Sequence, residues 1–130
     1  MSELNFCIQE HKGLKPEKIT IGSKNIKGYF KCFSGKSGGY WISIIPSLKV
    51  SGYGTTEEEA IHDLSYNMDV FCEDLIALSE DQRHLELRKM GWEQNSIFKK
   101  KFSSVYADEG GVLQNFDHPE EVKSTMLKTA

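Results

Sequence analysis

Carboxylates crowd one stretch of this chain and are the first candidates for chemistry. Residues 55 to 86 carry ten of them against one arginine, and His62 lies among them. A metal or acid–base site on a helix needs ligands three or four residues apart, because only those positions are neighbours on its surface. His62 and Asp69 are about two turns apart, and Glu58 with His62 is a common solvated pairing. We therefore predict no metal site and no cofactor.

Nucleophilic catalysis is the second possibility, because the chain contains three cysteines and four histidines. A catalytic thiol needs a positioned base. Cys32 and Cys72 fall on or beside apolar faces of predicted elements, where cysteine acts as a small buried hydrophobe. Gly35-Lys36-Ser37 imitates the end of a phosphate-binding loop, but no helix follows it. We expect no catalytic residues and a protein that is not an enzyme.

A third set of residues suits nucleic-acid binding. One face of a strand predicted over residues 26–33 carries Lys27, Tyr29, Lys31 and Phe33. Lysines can neutralise phosphates while aromatic rings stack on exposed bases. Lys99 and Lys101 share a face of a later predicted strand. We favour the interpretation that this is an ordinary amphipathic strand face, or one covered by a subunit. A single-stranded RNA-binding module is therefore the alternative function.

The elements that position these residues lie between Gly38 and Leu78. Residues 34–37 are predicted as a loop leading into a tight turn at Gly38-Gly39. Residues 40–45, rich in aromatic and β-branched types, predict a central strand that Pro46 ends. A half-exposed strand follows, and Gly54 ends it.

A long helix comes next. Thr55 with Glu58, or Thr56 with Glu59, forms a capping box at its start. Spacings of three and four predict a buried stripe of Ala60, Leu64, Met68, Phe71, Leu75 and Leu78. Tyr66, Val70 and Ala77 lie off this stripe, and partial burial by neighbouring loops is the interpretation we favour there over a docking ridge for another chain. If the helix exterior binds a partner, we expect the contacts at Glu58, Glu59, Tyr66, Asp69, Val70 and Glu73.

Two runs of residues carry a family resemblance. Gly39-Tyr40-Trp41-Ile42-Ser43-Ile44-Ile45-Pro46 is an aromatic strand that closes on proline, and Gly54-Thr55-Thr56-Glu57-Glu58-Glu59-Ala60 leads into a helix. Over about residues 26 to 78, a core module, this order resembles the HicB-like antitoxin family. Lys49 is a departure, because the family usually has a glycine there.

The resemblance implies a function as well as a fold. The fold class is α+β: an antiparallel sheet of four to six strands with one long helix packed on a face, similar to part of an RNase H fold. The implied function is a non-catalytic protein-binding module of a toxin–antitoxin system that masks a small basic mRNA-cleaving toxin. A self-associating orphan, as a homodimer or higher oligomer, is the variant of this hypothesis. Relatives usually add a DNA-binding motif, but residues 92–130 predict a strand hairpin and a short helix, so DNA binding is not expected.

The remaining predictions concern the second half of the chain. Ser79 begins a second helix that runs to about Met90, with Leu85, Leu87, Met90 and Trp92 as anchors. Strands are predicted over residues 97–106 and 112–116 around a turn at residues 108–111. A short last helix then opens at Asp117 and includes Val122, Met126 and Leu127.

Length, composition and charge limit the classes of protein to which this chain can belong. The length of 130 residues predicts one domain (residues 1–130), and the net charge of −3 does not indicate nucleic-acid binding. The charge is uneven: residues 12–36 carry seven lysines against one glutamate, so an acidic helical face should oppose a basic sheet end. An odd cysteine count without a signal sequence, and no long apolar run, predict a cytoplasmic protein without membrane contact.

Overall fold

A twelve-residue strand at the centre of a large sheet organises the structure. The computed structural model describes residues 6–9, 17–22, 25–94, 101–104, 116–118 and 121–129. Its strands are β1 (Phe6–Gln9), β2 (Lys18–Ile21), β3 (Ile26–Ser37), β4 (Tyr40–Ile45), β5 (Val50–Gly54), β6 (Trp92–Gln94), β7 (Lys101–Ser104) and β8 (Lys123–Thr129). The helices are α1 (Glu57–Ala77) and α2 (Glu80–Lys89), with a 3-10 turn at Pro46–Leu48. The predicted α+β class is confirmed, but the predicted four to six strands were too few.

All eight strands join one antiparallel sheet, in which β3 has three neighbours. β8 pairs along one side of β3, from Gly28 to Ser34. On the other side β2 pairs with the first residues of β3, and β4 pairs with its last five. The sheet therefore splits on that side: β2, β7 and β6 continue one branch, while the β4–β5 hairpin forms the other.

The β3–β4 hairpin turns at two glycines. Gly38 and Gly39 have φ angles of 59° and 86°, which glycine adopts without steric cost, and this confirms the predicted tight turn. The predicted loop over residues 34–37 was wrong, since these residues are paired with β4. The small polar residues at this end of β3 lack the apolar pattern of a strand, so the sequence did not indicate it. The Ser34 and Ser43 hydroxyls are buried and hydrogen-bond each other at 2.8 Å, so the pair satisfies itself beneath the helical layer.

Both helices pack on one face of the sheet, here called the helix face. The predicted stripe is confirmed at Ala60, Leu64, Met68 and Leu75, which are buried. Its remaining members, Phe71 and Leu78, are half-buried against the core. At Gly52 the helix backbone comes so close that any Cβ would collide with Ala60 and Leu64. A glycine at this point of β5 therefore sets how tightly α1 lies on the sheet.

The second helix is held by its C-terminal end. Its N-cap is Ser79, as predicted, whose hydroxyl accepts a hydrogen bond from the Gln82 N–H. Trp92, just beyond α2, is 1% exposed and meets the Phe30 ring edge-on at 6.1 Å. Leu87 is buried as expected, whereas Leu85 is 54% exposed and is not the anchor that was predicted. Leu85 lies two residues from Leu87, which places it on the opposite side of the helix.

The C-terminal segment is a strand where a short helix was predicted. Residues 123–129 form β8, which lies between β1 and β3. The apolar spacing of this segment is weak in either period, so its conformation follows from the unpaired side of β3 rather than from local preference. Of the strand predicted over residues 97–106, Lys101–Ser104 is present as β7. Residues 97–100 and 105–106, the turn at 108–111 and residues 112–115 lie outside the described part of the chain. Among the described residues, no helix combines the length and apolarity needed to cross a membrane.

Candidate functional site

Local bonds at both ends determine where α1 begins and ends. Thr56 is the N-cap, and its hydroxyl accepts a 3.1 Å hydrogen bond from the Glu59 N–H. The Glu59 carboxylate returns to Thr55, accepting from its N–H at 2.8 Å and its hydroxyl at 2.6 Å. These bonds from Thr55 lower the pKa of Glu59. At the other end the Arg83 guanidinium donates to the carbonyls of Leu75, Ile76 and Leu78, which secures the helix terminus to α2.

The exterior of α1 presents an apolar pair among carboxylates. Tyr66 is 56% exposed and Val70 41% exposed, and they lie one turn apart. No loop in the described part of the chain buries them, so the ridge interpretation fits better than partial burial by loops. Around them Glu58, Glu59 and Glu73 are exposed and Asp69 is half-buried. We call the six predicted residues, Glu58, Glu59, Tyr66, Asp69, Val70 and Glu73, the outer face of α1.

An open groove runs between α1 and α2 beside the outer face. Its volume is about 460 Å³, within the usual range of binding pockets. Its lining is Phe71, Asp74, Leu75, Leu78, Gln82, Leu85, Glu86 and Met90. This lining combines apolar side chains with two carboxylates and contains no basic residue. The exposed Leu85 thus belongs to a concave surface, which the sequence did not indicate.

The outer edge of β5 is closed by α1. Asp63 accepts a hydrogen bond from the Tyr53 N–H at 3.0 Å, and the Asn67 amide donates to the Ser51 carbonyl at 2.7 Å. Both backbone groups would otherwise be available to an added strand. These two backbone groups of β5 are therefore not available for strand addition.

The four residues predicted for the alternative function, nucleic-acid binding, share one face of the sheet, but not all of them are exposed there. Lys27 and Tyr29 are exposed and Lys31 is half-buried, but Phe33 is only 4% exposed and cannot stack on a base. Side chains distant in sequence lie over the neighbouring position on this face. Gly35 shares Phe33's face of the sheet, and a Cβ at Gly35 would meet Phe116 at 2.8 Å and Val122 at 3.0 Å, so these side chains cover this end of the face.

Two further lysines join the three remaining residues of that set. In the strand register Lys18 lies opposite Tyr29, and Thr20 lies opposite both Lys27 and Lys101. Lys18 and Lys101 are exposed. The predicted companion Lys99 lies outside the described residues. We call Lys18, Lys27, Tyr29, Lys31 and Lys101 the lysine patch; it lies on the sheet face opposite the helices.

The candidate nucleophiles are buried and protonated. Burial raises the pKa of the Cys32 thiol to about 11. Burial, with the nearby charges of Asp69 and Glu73, raises the pKa of Cys72 to about 12. Neither thiol forms a thiolate near neutral pH, so neither is equipped as a nucleophile. Within the described ranges, no group of three or more His, Cys, Asp or Glu side chains could hold a metal ion.

A buried carboxylate escaped prediction altogether. Glu17 is 4% exposed and lies where β2 and β4 separate along β3. Its carboxylate accepts hydrogen bonds from the Lys31 N–H at 3.0 Å and from the Ser47 hydroxyl. The Trp92 indole N–H in turn donates to the Ser47 carbonyl at 2.8 Å. Burial raises the pKa of Glu17, although both hydrogen bonds and the Lys31 charge oppose that shift. A lone Glu in a polar segment carries no sequence signal for such a role.

Comparison with known proteins adds no assignment. No protein-family model, curated protein or solved structure matches this chain significantly.

Proposed function

We propose that this chain is a HicB-like, antitoxin-like protein that acts by binding and masking a small basic protein, without catalysis of its own. The observation that carries the proposal is the outer face of α1, where Tyr66 and Val70 stand exposed among carboxylates. A partial RNase H-like architecture, a cytoplasmic location and an mRNA-cleaving toxin as partner are parts of the same proposal.

The composition of the outer face suits recognition of a basic protein. Binding energy at protein interfaces concentrates in a few buried anchors, among which tyrosine is enriched. Surrounding carboxylates attract a cationic partner during approach and select against acidic ones. Tyr66 supplies a large rigid anchor at the centre, and Glu58, Asp69 and Glu73 provide the charge around it.

The adjoining groove extends this surface. Asp74 and Glu86 stand beside Phe71, Leu78 and the exposed Leu85. An apolar side chain flanked by lysine or arginine would satisfy both components of the lining. The groove therefore supports a basic protein partner more than an anionic small molecule.

A backbone detail supports the family resemblance. Lys49 adopts φ 54° and ψ 37°, the left-handed conformation that glycine favours. HicB-like proteins usually have glycine at this point. The same turn between the proline-ended strand and β5 is therefore formed here by a lysine.

Charge reversal tests the proposal. The triple variant Glu58→Lys, Asp69→Lys, Glu73→Lys should weaken capture of the short cationic protein expected from the neighbouring reading frame by at least tenfold, because three attractions become repulsions. Glu59 is left intact since its carboxylate caps the helix. The measurement is calorimetric titration of the purified pair.

The matched control makes the same change of net charge elsewhere. Asp81→Lys, Glu93→Lys and Glu121→Lys alter exposed carboxylates away from the outer face and should leave capture nearly unchanged. Equal losses in the two triples would reduce the effect to net charge and contradict a specific surface. A neighbouring frame without a cationic product, together with a dimer or larger species by mass measurement, would favour the self-associating orphan.

A further inference from the structure

The sheet face opposite the helices concentrates positive charge. The strands β2, β3 and β7 contain five lysines and no aspartate or glutamate, and four of these lysines belong to the lysine patch. Neighbouring strands lie about 4.8 Å apart and same-face residues along a strand about 7 Å apart. The four ammonium groups therefore share a small area in which like charges repel.

Among the described residues, two acidic groups lie near the patch. Buried Glu17 interacts with the charge of Lys31 from below the strand junction. Glu93 of β6 lies opposite Ser103, at the edge of this branch of the sheet. Lys18, Lys27 and Lys101 are exposed to solvent. Lys18 and Lys27 lie on adjacent strands, so an anionic ligand lying across β3 and β2 would contact both side chains.

An aromatic ring stands inside the patch. Tyr29 is 41% exposed, faces Lys18 across the strands and lies between Lys27 and Lys31 along β3. Strand alternation places Tyr40 and Tyr53, 57% and 58% exposed, on the same face of the β4–β5 branch. Aromatic rings beside lysines on a flat sheet suit unpaired bases joined by phosphates, whereas a duplex would hide its bases from the rings.

We propose that the lysine patch binds single-stranded nucleic acid, with Tyr29 stacking on a base and the lysines contacting phosphates. This activity uses the face opposite α1 and is independent of the proposed partner capture. One bound segment would run over β3 and β2.

Fluorescence anisotropy of a labelled twelve-nucleotide uridine RNA with the full chain tests the proposal. Binding at about 50 mM salt should weaken as salt rises, since each phosphate contact contributes about −0.7 to the slope of log K against log salt for single strands. Lys27→Gln with Lys101→Gln should reduce the steepness of that slope by about 1.4. Tyr29→Leu should weaken binding about tenfold and leave the slope unchanged, because it removes stacking and no charge.

Two comparisons make the outcome decisive. Lys49→Gln with Lys89→Gln removes the same charge from exposed positions outside the patch and should change the slope little. Absence of binding at low salt, equal effects of the two lysine pairs, or equal affinity for duplex RNA would each overturn the proposal. Binding to anionic vesicles without binding to RNA would overturn it as well. Melting curves of each variant separate loss of binding from loss of folding.

Discussion

At the scale of single residues, Glu17 has the largest structural role that the sequence did not indicate. Its carboxylate accepts a hydrogen bond from the Lys31 N–H. At this point of β3 no neighbouring strand can accept that bond, because β2 has ended and β4 has not yet begun. It also accepts from Ser47, whose carbonyl receives the Trp92 indole N–H. One side chain thus joins the two branches of the sheet and the segment after α2.

Two substitutions of Glu17 should separate the contribution of its hydrogen bonds to stability from that of its charge. Glu17→Leu leaves the Lys31 N–H and the Ser47 hydroxyl without their acceptor and should cost about 1–3 kcal/mol of the free energy of unfolding. Glu17→Gln keeps an acceptor oxygen and should cost less. Urea unfolding measures both, and a Glu17→Leu variant as stable as the parent would contradict the joining role.

The stability of the parent chain should also depend on pH through Glu17. Burial raises its pKa in the folded state above the ordinary 4.5, so the unfolded chain releases this proton more readily. The stabilisation is complete below pH 4.5 and is lost as pH rises through the raised pKa of the folded state. Relative to Glu17→Gln, the parent should therefore lose stability as pH rises across that window. A constant difference between the two would contradict the shift.

At the scale of elements, local patterns predicted α1 well and the termini of the sheet poorly. The stripe from Ala60 to Leu75 and the Thr56 cap depend on residues within a turn of one another, so their spacing is visible in the sequence. The pairing of β8 depends on β3, which lies about ninety residues earlier in the chain. For the same reason alternation placed Phe33 on the correct face but could not reveal its burial, nor that Phe116 and Val122 lie over the next residue on that face, Gly35.

Lys49 gives a prediction at the level of the turn between β4 and β5. A left-handed conformation costs a residue with a Cβ about 1 kcal/mol, and Lys49 is exposed, with no described side-chain bond to lose. Lys49→Gly should therefore raise the free energy of unfolding by up to about 1 kcal/mol, after the added flexibility of the unfolded chain is subtracted. Lys49→Val, β-branched and poorly suited to positive φ, should lower it. Thermal unfolding of the pair checks both signs, and a less stable glycine variant would contradict the reading of the turn.

At the scale of the whole molecule, charge is segregated across the sheet. The acidic helix α1 covers part of one face and the lysine patch occupies part of the other, as the uneven sequence charge had predicted. The sequence therefore predicted both surfaces, whereas the α1–α2 groove and the extension of the patch to Lys18 and Lys101 required the packing of separate elements. This segregation allows a basic protein and an anionic chain to be bound on opposite sides.

The most direct test of the central claim is the affinity of the purified cationic partner for the double variant Tyr66→Ala, Val70→Ala. Both side chains are exposed in the free chain, so the variant should fold with unchanged stability. Calorimetric titration should show a dissociation constant raised about 100-fold, because truncating a central aromatic anchor commonly costs about 2–4 kcal/mol. An unchanged dissociation constant in a stably folded variant would contradict binding through the outer face of α1.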